Sequence, residues 1–151
     1  MEHQFRITRT GRELLDKYFD NYSLEQLNKV PPGFSNNLIW NIGHSIVAQQ
    51  MLVYSGSGLT PMVSEELMGK YMRGTKPEYD LSQKEADEIR SLLFSTIDKT
   101  EKDYYNRVFK TYTERRTQMG FLLASVEDGI AFNNYHEGLH LGVMMGIRKF
   151  L

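Results

Sequence analysis

Apolar residues recur at helical spacing through four long stretches of the chain. Ile7, Leu14, Leu15, Tyr18, Phe19 and Tyr22 predict a first helix from about Phe5 to Asn21. Ser23 can cap a short further turn through Leu27, and Pro31-Pro32-Gly33 ends it. Ser35 and Asn36 are good caps for a second helix, whose apolar members are Leu38, Ile39, Trp40, Ile42, Ile46, Val47, Met51 and Leu52. This helix should stop around Ser55-Gly56-Ser57-Gly58.

Residues 57–81 hold Gly58, Pro61, Gly69, Gly74 and Pro77, and read as a long crossover with one short helix near Ser64–Met72. A connection of that length is often functional, for example as a lid. Ser82 with Glu85 is a capping box that opens a third helix, followed along its inner face by Ile89, Leu92, Leu93, Thr96, Ile97, Tyr104 and Val108. After a link from Tyr112 to about Ala124, Ser125 and Asp128 can cap a fourth helix running to the C-terminus. Val, Ile and Thr nowhere alternate with polar residues at strand length, so no β-sheet is expected. The pattern predicts an all-α chain: an antiparallel four-helix bundle with a long connection between helices 2 and 3, one domain over residues 1–151.

Composition narrows the function. A chain of 151 residues with 40% hydrophobic and 25% charged residues can build a core. Net charge is −1, and Arg115-Arg116 and Arg148-Lys149 are small basic pairs, read as solvated helix ends. No clustered basic face points to nucleic acid. The absence of cysteine excludes disulfides and any cysteine-containing metal site. No signal core and no run of about 18 apolar residues is present, which predicts a cytoplasmic protein without a membrane partner.

Within the fourth helix, residues 136–140 read His136-Glu137-Gly138-Leu139-His140. Histidines four apart share one helix face and can reach one divalent ion. The string also matches H-E-x-x-H, in which the glutamate of a metallopeptidase serves as general base. A peptidase needs a third ligand, commonly from farther along the chain. The eleven residues after His140 contain no Asp, Glu or His, and the extended motif finds Val143 and Gly146 in place of Gly and His. A third ligand must therefore lie upstream. His3 is read as solvated. His44 lies mid-helix among apolar neighbours, on the same inward stripe as Trp40 and Ala48. A buried histidine is costly unless its ring nitrogens are paired, so His44 is either a hydrogen-bonded core group or a ligand. The ligand reading is favoured: three neutral imidazoles from two helices suit a zinc-type ion with positions left open.

The chain resembles the DinB/YfiT-like superfamily of metalloenzymes. The resemblance rests on Asn37-x-x-Trp40-x-x-x-His44 and His136-x-x-x-His140-x-Gly142, and covers essentially the whole chain. It implies a metal triad of His44, His136 and His140 holding nickel or zinc, frequent homodimerisation, and no required role for Glu137. Some members are transferases or isomerases that use low-molecular-weight thiols such as bacillithiol or mycothiol.

An open metal position can lower the pKa of bound water to about 7, or hold a thiolate. With no cysteine in the chain, any thiol must come from outside. The favoured expectation is a metal-dependent transferase or hydrolase, with a low-molecular-weight-thiol S-transferase foremost, acting on a small-molecule substrate. A non-catalytic metal-binding or stress-related module, a metal-free interaction protein and an H-E-x-x-H peptidase remain as rivals. Asn133, one turn before His136, is expected to point into the same cavity, and Asn37 and Asn41 precede His44; these can orient substrate, support ligands or cap helices. Glu137, rotated about 100° from His136, is expected to face solvent, with a weaker role as base. Most of the eight methionines read as core filler. Gly138, Gly142 and Gly146 form a stripe suited to close packing by another helix or a second subunit.

Overall fold

A computed structural model describes residues 1–151. The helices are α1 (Glu2–Asn21), α2 (Leu24–Asn28), α3 (Leu38–Val53), α4 (Glu65–Tyr71), α5 (Gln83–Tyr105) and α6 (Val126–Ile147). The all-α expectation holds apart from one small hairpin, which the sequence reading did not anticipate. Its strands β1 (Arg115–Arg116) and β2 (Leu122–Leu123) pair antiparallel, with Arg115 opposite Leu123. Two-residue strands are too short for alternation to register; Gly120, at φ +90°, makes the turn between them. Arg115-Arg116 therefore lies on a strand and not at a helix end. No helix is long and apolar enough to cross a membrane.

The caps explain where most helices begin. Ser23 with Gln26 and Ser82 with Glu85 form reciprocal capping boxes, and Ser64 and Ser125 each accept a backbone N–H of the first turn. Asn37, and neither Ser35 nor Asn36, caps α3 by accepting from the Trp40 N–H. α5 ends before the expected Val108. Arg107 takes a left-handed φ of 56°, the Val108 N–H returns to the Asp103 carbonyl and the Arg107 N–H to that of Tyr104, a Schellman ending with arginine where glycine is usual. α6 gives way to a 3-10 turn over Arg148–Phe150.

The buried face of α1 is Phe5, Thr8, Arg12, Leu15 and Tyr18, whereas Ile7 and Leu14, expected inside, are exposed. α3 has 14 of its 16 residues buried, consistent with its apolar character on all sides. It touches α6, α5, α4 and α2.

The four long helices contact one another in a ring, in the order α1, α5, α3, α6. Side-chain pairs give the directions. Arg9 with Asp98 and Arg90 with Asp16 make α1 and α5 antiparallel. His44 meets His136 and Asn41 meets His140, so α3 and α6 are antiparallel. Thr8 with Asn134 and Arg12 with Glu137 make α1 and α6 parallel, and Gln49 with Thr100 and Tyr54 with Asp103 make α3 and α5 parallel. Antiparallel neighbours thus account for two of the four pairs. The cause is the 57–81 crossover, which carries the chain back to the end where α3 began; there the Leu81 N–H and carbonyl bond the side chain of Asn28.

The core falls into two apolar blocks. One contains Leu15, Ile42, Ile46, Leu93 and Met144, and the other Phe5, Leu52, Ile97 and Ile130. Between them the long helices contribute buried polar groups: Arg12, Gln49, Thr96, Asn133 and Glu137. Arg12 donates to both carboxylate oxygens of Glu137, at 2.9 and 2.7 Å, with both side chains out of solvent.

Candidate metal centre

The antiparallel packing of α3 against α6 sets His44 opposite His136 and His140. Each ring offers a nitrogen, and the three nitrogens lie within 4.8 Å of one another. Nε2 of His44 is 3.3 Å from Nε2 of His136. Two nitrogens that each stand about 2.0–2.1 Å from a zinc-type ion, at ordinary coordination angles, are separated by about 3 Å, so the spacing suits a shared cation.

Two rings are oriented through their other nitrogen. Nδ1–H of His44 donates to the carbonyl of Tyr71 at 2.6 Å, which leaves a lone pair on Nε2. Nδ1 of His140 lies 2.8 Å from Oδ1 of Asn41. The Asn41 amide nitrogen is already donating to the Asn37 carbonyl and to the side chain of Asn36, so its oxygen faces the ring and His140 carries its proton on Nδ1. This is the arrangement by which metal-binding histidines are usually held. The third ring, His136, keeps a buried Nδ1 with no partner in the protein. Trp40 stacks on His44, with centroids 4.8 Å apart and planes 8° from parallel.

Burial disfavours charge on all three rings. It pushes His136 down to about 4, with the charge of His44 adding to the effect. It pushes His140 down to about 3, reinforced by His136 and His44. His44 is lowered as well, mainly by burial; the bond to Tyr71 opposes the shift and nearby Arg73 adds to it. The cluster is therefore neutral at pH 7, with lone pairs available.

The histidines open onto a cleft of about 590 Å³ walled by Trp40, Met51, Met72, Met119, Phe132 and Leu139. The 57–81 crossover forms part of this wall and supplies the Tyr71 carbonyl as well. Gly43 permits the close approach: a Cβ there would sit 2.6–2.9 Å from the Tyr71 ring. The sequence reading did not bring the 112–124 link to the site, yet residues 115–119 line the cleft. Met72 and Met119 are exposed, so they are cleft residues and not core filler.

Two expectations about neighbouring residues need correction, and for Asn37 the helix-cap reading is the one that holds. Glu137 is buried, not solvent-facing, and its bidentate pairing with Arg12 leaves no free base for a peptidase mechanism. Asn133 donates to Glu137 at 2.7 Å and is not among the residues lining the histidine cleft. Asn37 serves as the α3 cap and ties the chain to the Asn28 carbonyl. Arg12 was missed altogether, although its place between Phe5 and Leu15 on the inner face of α1 was a usable signal. His3 lies beside Arg6 on the exposed side of the first turns of α1, apart from the cluster. No segment of the chain packs on Gly138 or Gly142, and Gly146 meets the ring of Phe34.

Fold and site together describe a helical protein with a three-histidine cluster at the seam of two helices, lining an apolar cleft. The chain belongs to the DinB superfamily, whose family model matches residues 7–144. No curated protein matches it.

Proposed function

We propose that residues 1–151 form one DinB-like four-helix bundle domain that binds a single divalent cation, zinc or nickel, through His44, His136 and His140. The observation that carries this reading is the gathering of three uncharged imidazoles from two helices within 4.8 Å, two of them anchored through Nδ1. When bound, such an ion supplies Lewis-acid activation of an incoming small molecule. Around it, Tyr71 and Asn41 fix the ligand tautomers, and Trp40 holds the His44 ring flat. The Met- and Phe-lined wall offers an apolar surface for the body of a substrate. Three protein ligands and an open cleft favour turnover over a closed structural site.

The reaction we propose is transfer to or from an external low-molecular-weight thiol, or a related metal-assisted transfer or hydrolysis. The cysteine-free chain supports an external sulfur source. The exposed α6 face bearing Tyr135, Leu139 and Val143 beside Gly138 and Gly142 supports pairing with a second copy.

The test begins with metal analysis of tag-free protein, followed by a thiol-plus-electrophile assay before and after chelation. One ion per chain and a thiol-dependent rate abolished by chelator and by H136A are expected. Wild type that takes up neither zinc nor nickel would overturn the proposal.

A further inference from the structure

The charge on the cleft is one-sided. Arg73 comes from the crossover after α4, and Arg115 and Arg116 from β1, so two separate connections bring three guanidinium groups to one mouth. None of the lining side chains is a carboxylate. The chain as a whole is nearly neutral, and its ion-paired cations, Arg9, Arg12, Lys70, Arg90 and Lys99, all lie elsewhere. Arg73, Arg115 and Arg116 form no ion pair. Arg73 donates to the Gln118 side chain, Arg115 to the Met51 carbonyl at 3.5 Å and Arg116 to the Gly120 carbonyl at 3.4 Å. A guanidinium has five N–H donors in a planar fork, so each keeps most of its capacity free for a ligand.

We infer that the cleft selects a small molecule with an anionic group, carboxylate or phosphate, held at the mouth by Arg73, Arg115 and Arg116, and an apolar body lying along Trp40, Met51, Met119 and Phe132 toward the histidines. The inference rests on the proposed reading of the cleft as the reactant's place. Three unpaired cations facing an apolar wall favour an anion by direct bidentate contact and disfavour a cation by repulsion. A polar headgroup at the arginines leaves the other end of the molecule free to reach the histidine nitrogens. Lys and Arg heads on an ordinary surface would face solvent and meet carboxylates at random; here the 18 lining residues offer cations and no anion.

The test uses full-length ¹⁵N-labelled protein without metal, followed by the Trp40 indole and arginine Nε resonances. The probes are phenylacetate, phenyl phosphate, benzyl alcohol and benzylamine, at low and at 0.5 M salt. At least one anionic probe should bind about tenfold or more tighter than the neutral and cationic probes, and should weaken in high salt. The better of the two anions identifies the headgroup. The preference should fall below about twofold in R73Q/R115Q/R116Q and partly in R73Q alone, with zinc uptake unchanged. Equal binding of all four probes, no binding by any, or a preference that survives the triple substitution overturns the inference. Zinc uptake by wild type is measured separately, so failure of the metal reading leaves a different signature from failure of anion selection.

Discussion

Nε2 of His44 faces Nε2 of His136 at 3.3 Å across the α3–α6 seam, although 92 residues separate them in the chain. Two nitrogens this close, both pressed toward the neutral state, could share a cation with a third donor, and His140 offers one within 4.8 Å. Replacing any one of the three by alanine should lower zinc or nickel affinity by more than about a hundredfold, since losses of merely supporting groups already cost about 10–100-fold. Isothermal titration of tag-free protein measures this, and circular dichroism establishes that the variants are folded.

Asn41 should behave as a support for His140. N41A removes the acceptor for the His140 Nδ1 proton, and with it the preference for a lone pair on Nε2. Metal affinity should fall about 10–100-fold while the helical content stays. N41D should retain much of the affinity, because a carboxylate oxygen also accepts that proton.

Glu137 should report on stability and not on chemistry. E137A strands the Arg12 charge in the core and should cost about 3–5 kcal/mol in urea unfolding. The paired replacement R12M/E137L removes both charges and should recover most of that loss. If E137A left stability intact and abolished turnover, Glu137 would be a base after all.

Gly43 is a packing test. In G43A the added methyl meets the Tyr71 ring at 2.6–2.9 Å, so the crossover must shift outward. We expect a loss of about 1–3 kcal/mol from overpacking, together with weaker metal binding, because the same residue's carbonyl holds His44.

Acid should destabilise the metal-free protein. The folded pKa values of all three imidazoles lie below the ordinary value of 6.5, with His136 at about 4 and His140 at about 3. The native state therefore binds fewer protons than the unfolded chain between those limits. The stabilisation is fully present above pH 6.5 and is lost as pH falls toward 3. Melting temperature should drop across that window, and less steeply in H136A/H140A.

Much of this was legible beforehand because apolar spacing and serine caps are local signals. Ser82 with Glu85, Ser125 and the His136–His140 pair all stand where the sequence implies. The Schellman ending of α5 was hidden because Arg107, not glycine, adopts the left-handed turn. The direction of neighbouring helices depends on where a long crossover returns, which periodicity does not encode. Glu137 was misread for a related reason. α6 is apolar on most sides, so its helical wheel does not separate inside from outside, and the partner that draws Glu137 inward is 125 residues away. On α1 the buried stripe shares Leu15 and Tyr18 with the apolar pattern, but it also carries Thr8 and Arg12, which pattern reading treats as outward.

The atom that fixes His44 belongs to the backbone of residue 71, not to its side chain. An alanine scan would therefore pass over this contact: every replacement at position 71 except a distortion of the chain itself preserves that oxygen. A side-chain survey would register position 71 through its buried ring, packed against Gly43, and would credit the loss to packing while the oxygen that sets the first imidazole went unseen.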